Sequence, residues 1–104
     1  MRGEVWLIAL DPTIGSEIRK TRPCLIVSPG EMHDFLRIVI VAPLTTGGRA
    51  APYRIPVNFQ GTNGRILLDQ LRPVDKQRLV RRLGAIGTQT LAHTLRVLRE
   101  TFEE

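Results

Sequence analysis

One feature limits the possible folds of this chain more than any other. It is a series of short apolar runs, each followed within a few positions by a turn-forming residue. The runs are rich in β-branched and large aliphatic residues, which fit the pleated surface of a sheet. Proline, glycine, asparagine or aspartate follows each of them. The longest apolar run, from Ile38 to Leu44, is far shorter than the ~20 residues of a transmembrane helix. The pattern predicts a mainly β fold of short strands, with no segment that crosses a membrane.

The predicted strands fill most of the chain before its last part. We predict them at residues 4–10, 24–28, 37–42, 53–58, 65–68 and 80–86. The run at 37–42 is continuous rather than alternating, which is typical of a central strand covered on both faces, and Pro43 is expected to close it. Pro56 indicates an edge or bulged strand, because proline has no N–H to donate. Loops or turns are predicted at 29–34 and 61–64, and a helical turn at 74–79.

The last part of the chain changes to helical periodicity. Thr88 follows Gly87 and is predicted to cap the N-terminus of a helix. Its apolar and polar positions fall on two different faces: Leu91, Leu95, Leu98 and Phe102 on one, and Gln89, His93, Arg96 and Glu100 on the other. We therefore expect the helix to pack against the sheet, with His93 toward solvent. Together these patterns predict a small, mainly β barrel or curled sheet of antiparallel strands with a C-terminal α-helix.

Length and composition predict a single domain, 1–104, around one core, because 104 residues with 42% hydrophobic content leave no length for a second. Residues 1–3 lead directly into a strand, so no signal peptide is predicted and a cytoplasmic location is expected. The single cysteine, Cys24, cannot form a disulfide within the chain and is predicted to be a buried structural side chain. The net charge of +5 favours a polyanionic partner such as nucleic acid.

A polar loop between the first two predicted strands is the first candidate site. Residues 15–23 combine the carboxylate of Glu17 with the cations Arg19, Lys20 and Arg22. Arg22 directly precedes Pro23, which restricts its backbone to extended geometry, so we expect its side chain to have a fixed direction. The alternative interpretation is a solvated, charged hairpin tip.

No metal or cofactor is predicted for this chain. It has two histidines, and its cysteine, histidines and carboxylates do not have the spacing typical of a metal site or of a paired-imidazole ribonuclease. Gly47-Gly48 lacks the Lys-Ser/Thr that follows in a phosphate loop. Catalysis would therefore depend on Glu, Asp, Arg, Thr and backbone donors. Such residues follow three predicted strands and are expected to converge in a curled sheet: Glu17 and Arg22, Thr45 and Thr46, and Asp69 and Gln70.

A set of short motifs resembles the MazF/PemK/Kid family of bacterial toxin endoribonucleases, nearly from end to end. The motifs are Arg2-Gly3-Glu4-Val5-Trp6, Asp11-Pro12-Thr13, Gly15-Ser16-Glu17, Thr21-Arg22-Pro23, Ala42-Pro43-Leu44-Thr45-Thr46 and Leu68-Asp69-Gln70. Their order and intervals, rather than any single motif, make the resemblance specific. It implies an SH3-like barrel with helices and a homodimer. It also implies metal-independent, sequence-specific cleavage of single-stranded RNA by the ribose 2′-hydroxyl, and an antitoxin partner with an acidic, partly disordered tail.

The resemblance also implies roles for individual residues. The family positions tied to catalysis are Glu17, Arg22 and Thr45 in this sequence. Some members carry an arginine two residues before the aspartate of the Asp-Gln pair, but here that position is Leu67, so Asp69 is assigned a structural or RNA-contacting role rather than that of a base. The residues expected to contact RNA are Arg19, Lys20, Thr46, Arg49, Asp69 and Gln70.

Two other classes of protein stay open at this stage. CcdB-type gyrase poisons resemble the MazF/PemK/Kid family in their barrel and dimer, but they bind a protein target. The set of Glu17, Arg22 and Thr45 would be unnecessary for that function. A non-catalytic RNA-binding module is the other alternative. Its usual mark is a set of stacking aromatic side chains, and the aromatic content of this chain is 5%.

Overall fold

The strands and helices are seen in a computed structural model that describes residues 1–10 and 20–103. Within these residues there are seven strands: β1 (Glu4–Ala9), β2 (Thr21–Ile26), β3 (Ile38–Thr45), β4 (Arg54–Phe59), β5 (Thr62–Leu67), β6 (Arg72–Asp75) and β7 (Leu79–Ala85). The same residues contain two α-helices, α1 (Gly30–Phe35) and α2 (Thr88–Thr101), and short 3-10 turns at Leu68–Gln70 and Lys76–Arg78. Every strand pair is antiparallel.

The sheet has the order β4-β5-β3-β2-β1-β7, with β6 also paired to β3. As predicted, β3 is central, but it runs through Pro43 to Thr45 instead of ending at the proline. One edge of β3 pairs with β6 over residues 38–41 and with β5 over residues 44–45. Pro43 lies between these two stretches, so its missing N–H interrupts neither ladder. Strand β6 was missed, because its four residues carry little pattern of their own.

The sheet curls until its two ends meet. The Gln60 side chain, at the tip of the β4–β5 hairpin, donates from Nε2 to the Leu83 carbonyl of β7 at 2.7 Å. The Phe59 ring lies against Gly84, where an added Cβ would be 3.2 Å from the ring. In the same half of β7, Glu4 of β1 accepts from Trp6 Nε1 at 3.0 Å and from Arg82 Nε at 2.9 Å. The Glu-Val-Trp motif therefore fastens β1 to β7.

The turn of the β4–β5 hairpin begins one residue earlier than predicted. Its two-residue turn is Gln60-Gly61, with φ of 52° and 81°, the pair of positive values that a type I′ turn needs. Asn63 and Gly64, expected in the turn, lie in β5 instead. Asn63 accepts a hydrogen bond from its cross-strand partner Asn58 at 2.8 Å, which holds this register.

Two predictions about helices were wrong in detail. Residues 29–34 were predicted as a loop, but most of them form α1, because Pro29 starts a helical turn by accepting from the Met32 N–H and the buried His33 holds the helix onto Ser28. The N-cap of α2 is Gly87 rather than Thr88, since the Gly87 carbonyl accepts the first helical hydrogen bond.

The core lies on both faces of the curled sheet. One cluster includes Val5, Leu25, Ile55 and Ile66, and α2 covers it through Val97 and Leu98; a second cluster, on the other face, includes the buried Cys24. Leu91, Leu95 and Leu98 are partly buried as predicted, but Phe102 follows the last helical residue and is 75% exposed. His93 faces solvent, as predicted. No helix in the described part of the chain is long and apolar enough to cross a membrane.

Candidate functional site

Arg22 and Thr45 come together at the ends of two paired strands. Cys24 of β2 lies opposite Pro43 of β3, and extending this register by two residues places Arg22 opposite Thr45. The Arg22 guanidinium donates from Nη2 to the Leu44 carbonyl at 3.4 Å. Because Arg22 is half-buried and bonded to the backbone of the next strand, its direction is fixed beside Thr45.

The Thr45 hydroxyl caps the turn that follows it. Its Oγ1 accepts from the Gly47 N–H at 3.3 Å, so one lone pair of the hydroxyl oxygen is used. The hydroxyl hydrogen is not needed for that bond and is free to donate to another group. Thr46, the next residue, is exposed. Thr45 therefore combines a structural contact with a free donor, whereas Thr46 lies at the surface.

Two arginines hold the segment after β3, which we call the 46–49 loop. Arg65 of β5 donates from Nη1 to the Gly48 carbonyl at 2.8 Å. Arg54 of β4 donates from Nη1 to the Arg49 carbonyl at 3.4 Å. Both cations are used to fix the backbone of the loop, and the Arg49 residue itself is exposed.

Asp69 is paired with Arg54 in a two-pronged contact. Arg54 Nε donates to Oδ1 at 3.3 Å, and Nη2 donates to Oδ2 at 3.1 Å. The hydrogen bond from Arg54 holds the pKa of the Asp69 carboxyl below its usual range, and the same bond raises the pKa of Arg54. Arg54 is the cross-strand partner of Leu67, so the cation that the sequence lacks at 67 is provided by the neighbouring strand.

The other predicted site residues are less closely tied to this cluster. The Lys20 carbonyl accepts from the Leu10 N–H at 3.2 Å, and the residue is exposed. Gln70 is also exposed, at the end of the 3-10 turn that contains Asp69. Glu17 and Arg19 lie outside the described residues. Arg54 thus connects Asp69 to the 46–49 loop, which directly follows Thr45. Arg22 lies beside Thr45 on the neighbouring strand.

Arg54, Arg65 and Gly64 were missed by the sequence analysis. The importance of each comes from a neighbour across the sheet, so it depends on strand register, which a single sequence does not display. The one local signal was Gly64 itself, because a glycine inside a strand often marks a close backbone approach.

Cys24 has the properties of a core residue rather than of a nucleophile. It is fully buried, and burial raises the pKa of its thiol to about 11, which keeps it protonated at neutral pH. Among residues 1–10 and 20–103, no group of three or more His, Cys, Asp or Glu side chains is placed to bind a metal ion.

Comparison with known proteins identifies the family. The sequence profile described as PemK-like, MazF-like toxin of type II toxin-antitoxin system matches residues 1–102. The chain belongs to this family. It is 42% identical to Endoribonuclease PemK of Escherichia coli over 79 residues, which cover 71% of this chain and 59% of PemK. It is 30% identical to Endoribonuclease toxin ChpB of Escherichia coli (strain K12) over 109 residues, covering 98% of this chain and 93% of ChpB.

Solved structures of PemK/MazF-type toxins share the fold. MazF (Form-I) from Deinococcus radiodurans superposes with a TM-score of 0.77 at 23% identity, covering 95% of this chain and 92% of that one. An endoribonuclease in complex with its cognate antitoxin, from Mycobacterial species, gives a TM-score of 0.81 at 23% identity, covering 96% and 91%. These matches confirm the predicted mainly β, curled antiparallel sheet with a C-terminal helix.

Proposed function

We propose that this protein is the toxin of a type II toxin–antitoxin system and acts as a metal-independent, sequence-specific endoribonuclease on single-stranded RNA. The observation that carries the proposal is the arginine fork of Arg22 fixed beside the free hydroxyl hydrogen of Thr45. A guanidinium fork and a hydroxyl are suited to hold the nonbridging oxygens of a phosphodiester. Relatives named endoribonucleases support the same chemistry.

The reaction follows from the chemistry of these side chains. The Glu17 carboxylate takes the proton of the ribose 2′-hydroxyl, and the 2′-oxygen then bonds to phosphorus. Arg22 and Thr45 stabilise the negative charge that grows on the phosphorane. The bond from phosphorus to the 5′-oxygen breaks, and this oxygen takes a proton from water, because a guanidinium with a pKa above ~12 gives up its own proton too reluctantly. The products are a 2′,3′-cyclic phosphate and a 5′-hydroxyl.

RNA contacts surround this centre. We assign Arg19, Lys20, Thr46, Arg49 and Gln70 to binding of the RNA backbone and bases. For Asp69 we propose the structural role, because its carboxylate is paired with Arg54 and its lowered pKa makes it a weaker base.

The proposal includes the setting in which the toxin works. We propose that residues 1–104 form one toxin domain that acts in the cytoplasm, as a homodimer, and is inhibited by an antitoxin with an acidic, partly disordered tail. The net charge of +5 supports partners that are negatively charged. A wide groove of about 1090 Å³ between the edge strand β4 and helix α2, lined by Tyr53 and Val97, supports a contact between subunits.

Cleavage of a mixed RNA with mapped product ends tests this function. The purified protein should cut in the presence of EDTA and leave 2′,3′-cyclic phosphate and 5′-hydroxyl ends. Arg22→Ala should lower the rate by about 10²–10³, the cost of removing one fixed donor from a charge-stabilising site. Arg96→Ala, which removes an exposed cation of α2, is the matched control and should retain the rate.

Three outcomes would overturn the proposal. The first is a folded Arg22→Ala protein that cuts within a few-fold of the unsubstituted protein. The second is a requirement for added Mg²⁺. The third is a 5′-phosphate on the downstream fragment.

A further inference from the structure

A small pocket, which we call the Phe59 pocket, opens directly beside the Arg22 and Thr45 pair. It has a volume of about 260 Å³ and is lined by Pro23, Leu44, Thr45, Val57, Phe59 and Gln60, among others. Pro23 follows Arg22 in the chain, and the Leu44 carbonyl accepts the Arg22 hydrogen bond. The pocket is therefore continuous with the place where a phosphodiester would bind.

The walls of the pocket are mostly apolar and are held in place. The Phe59 ring packs on Gly84, where an added Cβ would lie 3.2 Å from the ring, closer than an ordinary van der Waals contact. Gly64 also lines the pocket and lies close against the Thr45 carbonyl. Two strands and a tight turn thus fix the shape before any ligand binds, which lowers the entropy cost of binding.

Gln60 provides a polar group in the pocket, and its hydrogen bond to Leu83 shows which of its side-chain atoms is the donor. A carbonyl oxygen only accepts, so the Gln60 atom that faces the Leu83 carbonyl at 2.7 Å must be the amide nitrogen. This leaves the amide oxygen Oε1 as the part of the side chain that can accept from a ligand. A partner with an N–H₂ group at its edge would complement it.

The pocket is smaller than the ~300–1,000 Å³ of sites that hold drug-sized ligands, which suits a single flat ring system. A nucleobase has apolar faces and a polar edge, and its ribose is bonded to phosphate, so it could enter the pocket while the phosphate lies at Arg22. An apolar side chain of a protein partner would fill the apolar walls but would leave Gln60 Oε1 without a donor.

We propose that the Phe59 pocket receives the base of a nucleotide next to the cleaved bond and prefers a base with an exocyclic amino group over one without it. This inference rests on the proposed ribonuclease function and adds a specificity residue, Gln60, to it. Adenine and cytosine present such an amino group on the edge used in base recognition, whereas uracil presents a carbonyl there. A carbonyl facing Gln60 Oε1 would place two acceptors together.

The test compares matched RNA substrates on the unsubstituted toxin. Around each mapped cleavage site, cytidine is replaced by uridine, and adenosine by purine riboside, at one flanking position at a time. At one of these positions, loss of the amino group should lower kcat/KM by about 3- to 10-fold, the range for one neutral hydrogen bond. Equal rates at every flanking position would overturn the proposal, and no variant protein is needed for this result.

A substitution links the preference to Gln60. In Gln60→Lys the side chain keeps a donor for the Leu83 carbonyl but has no acceptor, so the preference for the amino group should disappear. Gln89→Lys makes the same change at an exposed position of α2 and should keep the preference. If Gln60→Lys retains it, the assignment to Gln60 is wrong.

The outcomes separate this proposal from the one on which it rests. If no RNA is cut, the proposed function fails first. If RNA is cut, but Gln60→Lys only weakens binding of the antitoxin and leaves the cleavage pattern unchanged, the pocket belongs to the protein partner and the inference is overturned.

Discussion

Gly64 marks a place where two strands come too close for any side chain. A Cβ at this position would lie 2.4 Å from the Thr45 carbonyl oxygen, which belongs to the backbone and cannot rotate away. Thr45 is a residue of the proposed site, and its backbone can lie this close to β5 only because Gly64 has no side chain. This is a stronger constraint than the turn role that the local sequence suggested for Gly64.

The first prediction is that Gly64→Ala destabilises the protein. The added methyl group would push β3 and β5 apart, with an expected loss of about 1–3 kcal/mol in the free energy of unfolding, and cleavage should fall because Thr45 moves. Gly47→Ala is the control for stability, because no atom of the described residues lies within 4 Å of its added Cβ, and it should change stability by no more than ~0.5 kcal/mol. Urea unfolding of both variants measures the difference, and equal stabilities would contradict the close approach.

His33 is a buried titratable residue away from the site. Its Nε2 lies 2.6 Å from Ser28 Oγ, which also accepts from the Ile40 N–H at 3.0 Å. Nδ1 is buried and has no hydrogen-bond partner among the described residues. Burial, and secondly the charge of Lys76, lowers the pKa of His33 below its ordinary value near 6.5. The folded state therefore favours the neutral ring.

The second prediction concerns the pH dependence of stability that follows from His33. Below pH ~6.5 the unfolded chain binds a proton at this residue while the folded chain does not, so the free energy of unfolding should fall as the pH falls from 6.5 toward the lower folded pKa. Denaturant unfolding at pH 7.5 and pH 5.5 measures this loss. His33→Gln should make the loss smaller, whereas His93→Gln, on the exposed face of α2, should leave it unchanged. A loss of the same size in all three proteins would remove His33 as the cause.

At the scale of single elements, α2 begins without a side-chain cap. Its N-cap residue Gly87 has extended φ and ψ of −64° and 154°, and within residues 1–10 and 20–103 no side chain makes a cap hydrogen bond to the start of the helix. The helix also lacks acidic residues in its first turn, which would interact favourably with the helix dipole. Among the residues that the structure describes, nothing lies within 4 Å of a Cβ added at Gly87, so a larger residue fits there.

The third prediction is that Gly87→Asp stabilises the protein. The new carboxylate would accept from the free N–H groups and would interact with the helix dipole, and replacing glycine would reduce the entropy of the unfolded chain. We expect a gain of about 0.5–1.5 kcal/mol. Gly87→Ala also replaces glycine but adds no cap, and alanine is a poorer N-cap residue than glycine, so thermal unfolding should rank the aspartate variant above both the alanine variant and the unsubstituted protein. If the two variants were equally stable, the missing cap would have no energetic effect.

Across the whole molecule, positive charge and an exposed loop are presented on one surface. Arg22 and the segment from Thr45 to Arg49 lie at the ends of neighbouring strands, and the chain as a whole carries a net charge of +5. A flexible RNA backbone and a flexible acidic peptide both offer negative charge in an extended shape to such a surface. One surface can therefore serve the substrate and the inhibitor in turn.

The fourth prediction is that RNA and the antitoxin tail compete for this surface. Ordering the tail should cost about 2–5 kcal/mol of contact energy, so apolar anchors are needed as well as charge, and binding should weaken with salt without being lost. A titration of a non-cleavable RNA analogue against the antitoxin tail measures the competition. Arg49→Ala should weaken both ligands, and Arg96→Ala should weaken neither. Simultaneous binding with unchanged affinity would instead indicate that the antitoxin inhibits by distorting the loops.

The sequence by itself determined the class of fold, most of the strands, the C-terminal helix and the family. These features depend on local patterns, because alternation, turn residues and helical spacing act over a few neighbouring positions. Its errors were also local. The turn at 61–64 was placed too late because Gln60 is not a typical turn residue, and α1 was missed because a six-residue helix after Pro29 carries little periodicity.

Only the tertiary structure decided which side chains meet. Arg54 reaches Asp69, Gly64 makes room for Thr45, and Gln60 reaches Leu83, each through pairing or curling of strands that are distant along the chain. A shift of one residue in register would turn these side chains to the other face of the sheet. Register is set by the packing of the whole core, so the residues that build the site's frame become visible only when the sheet has closed.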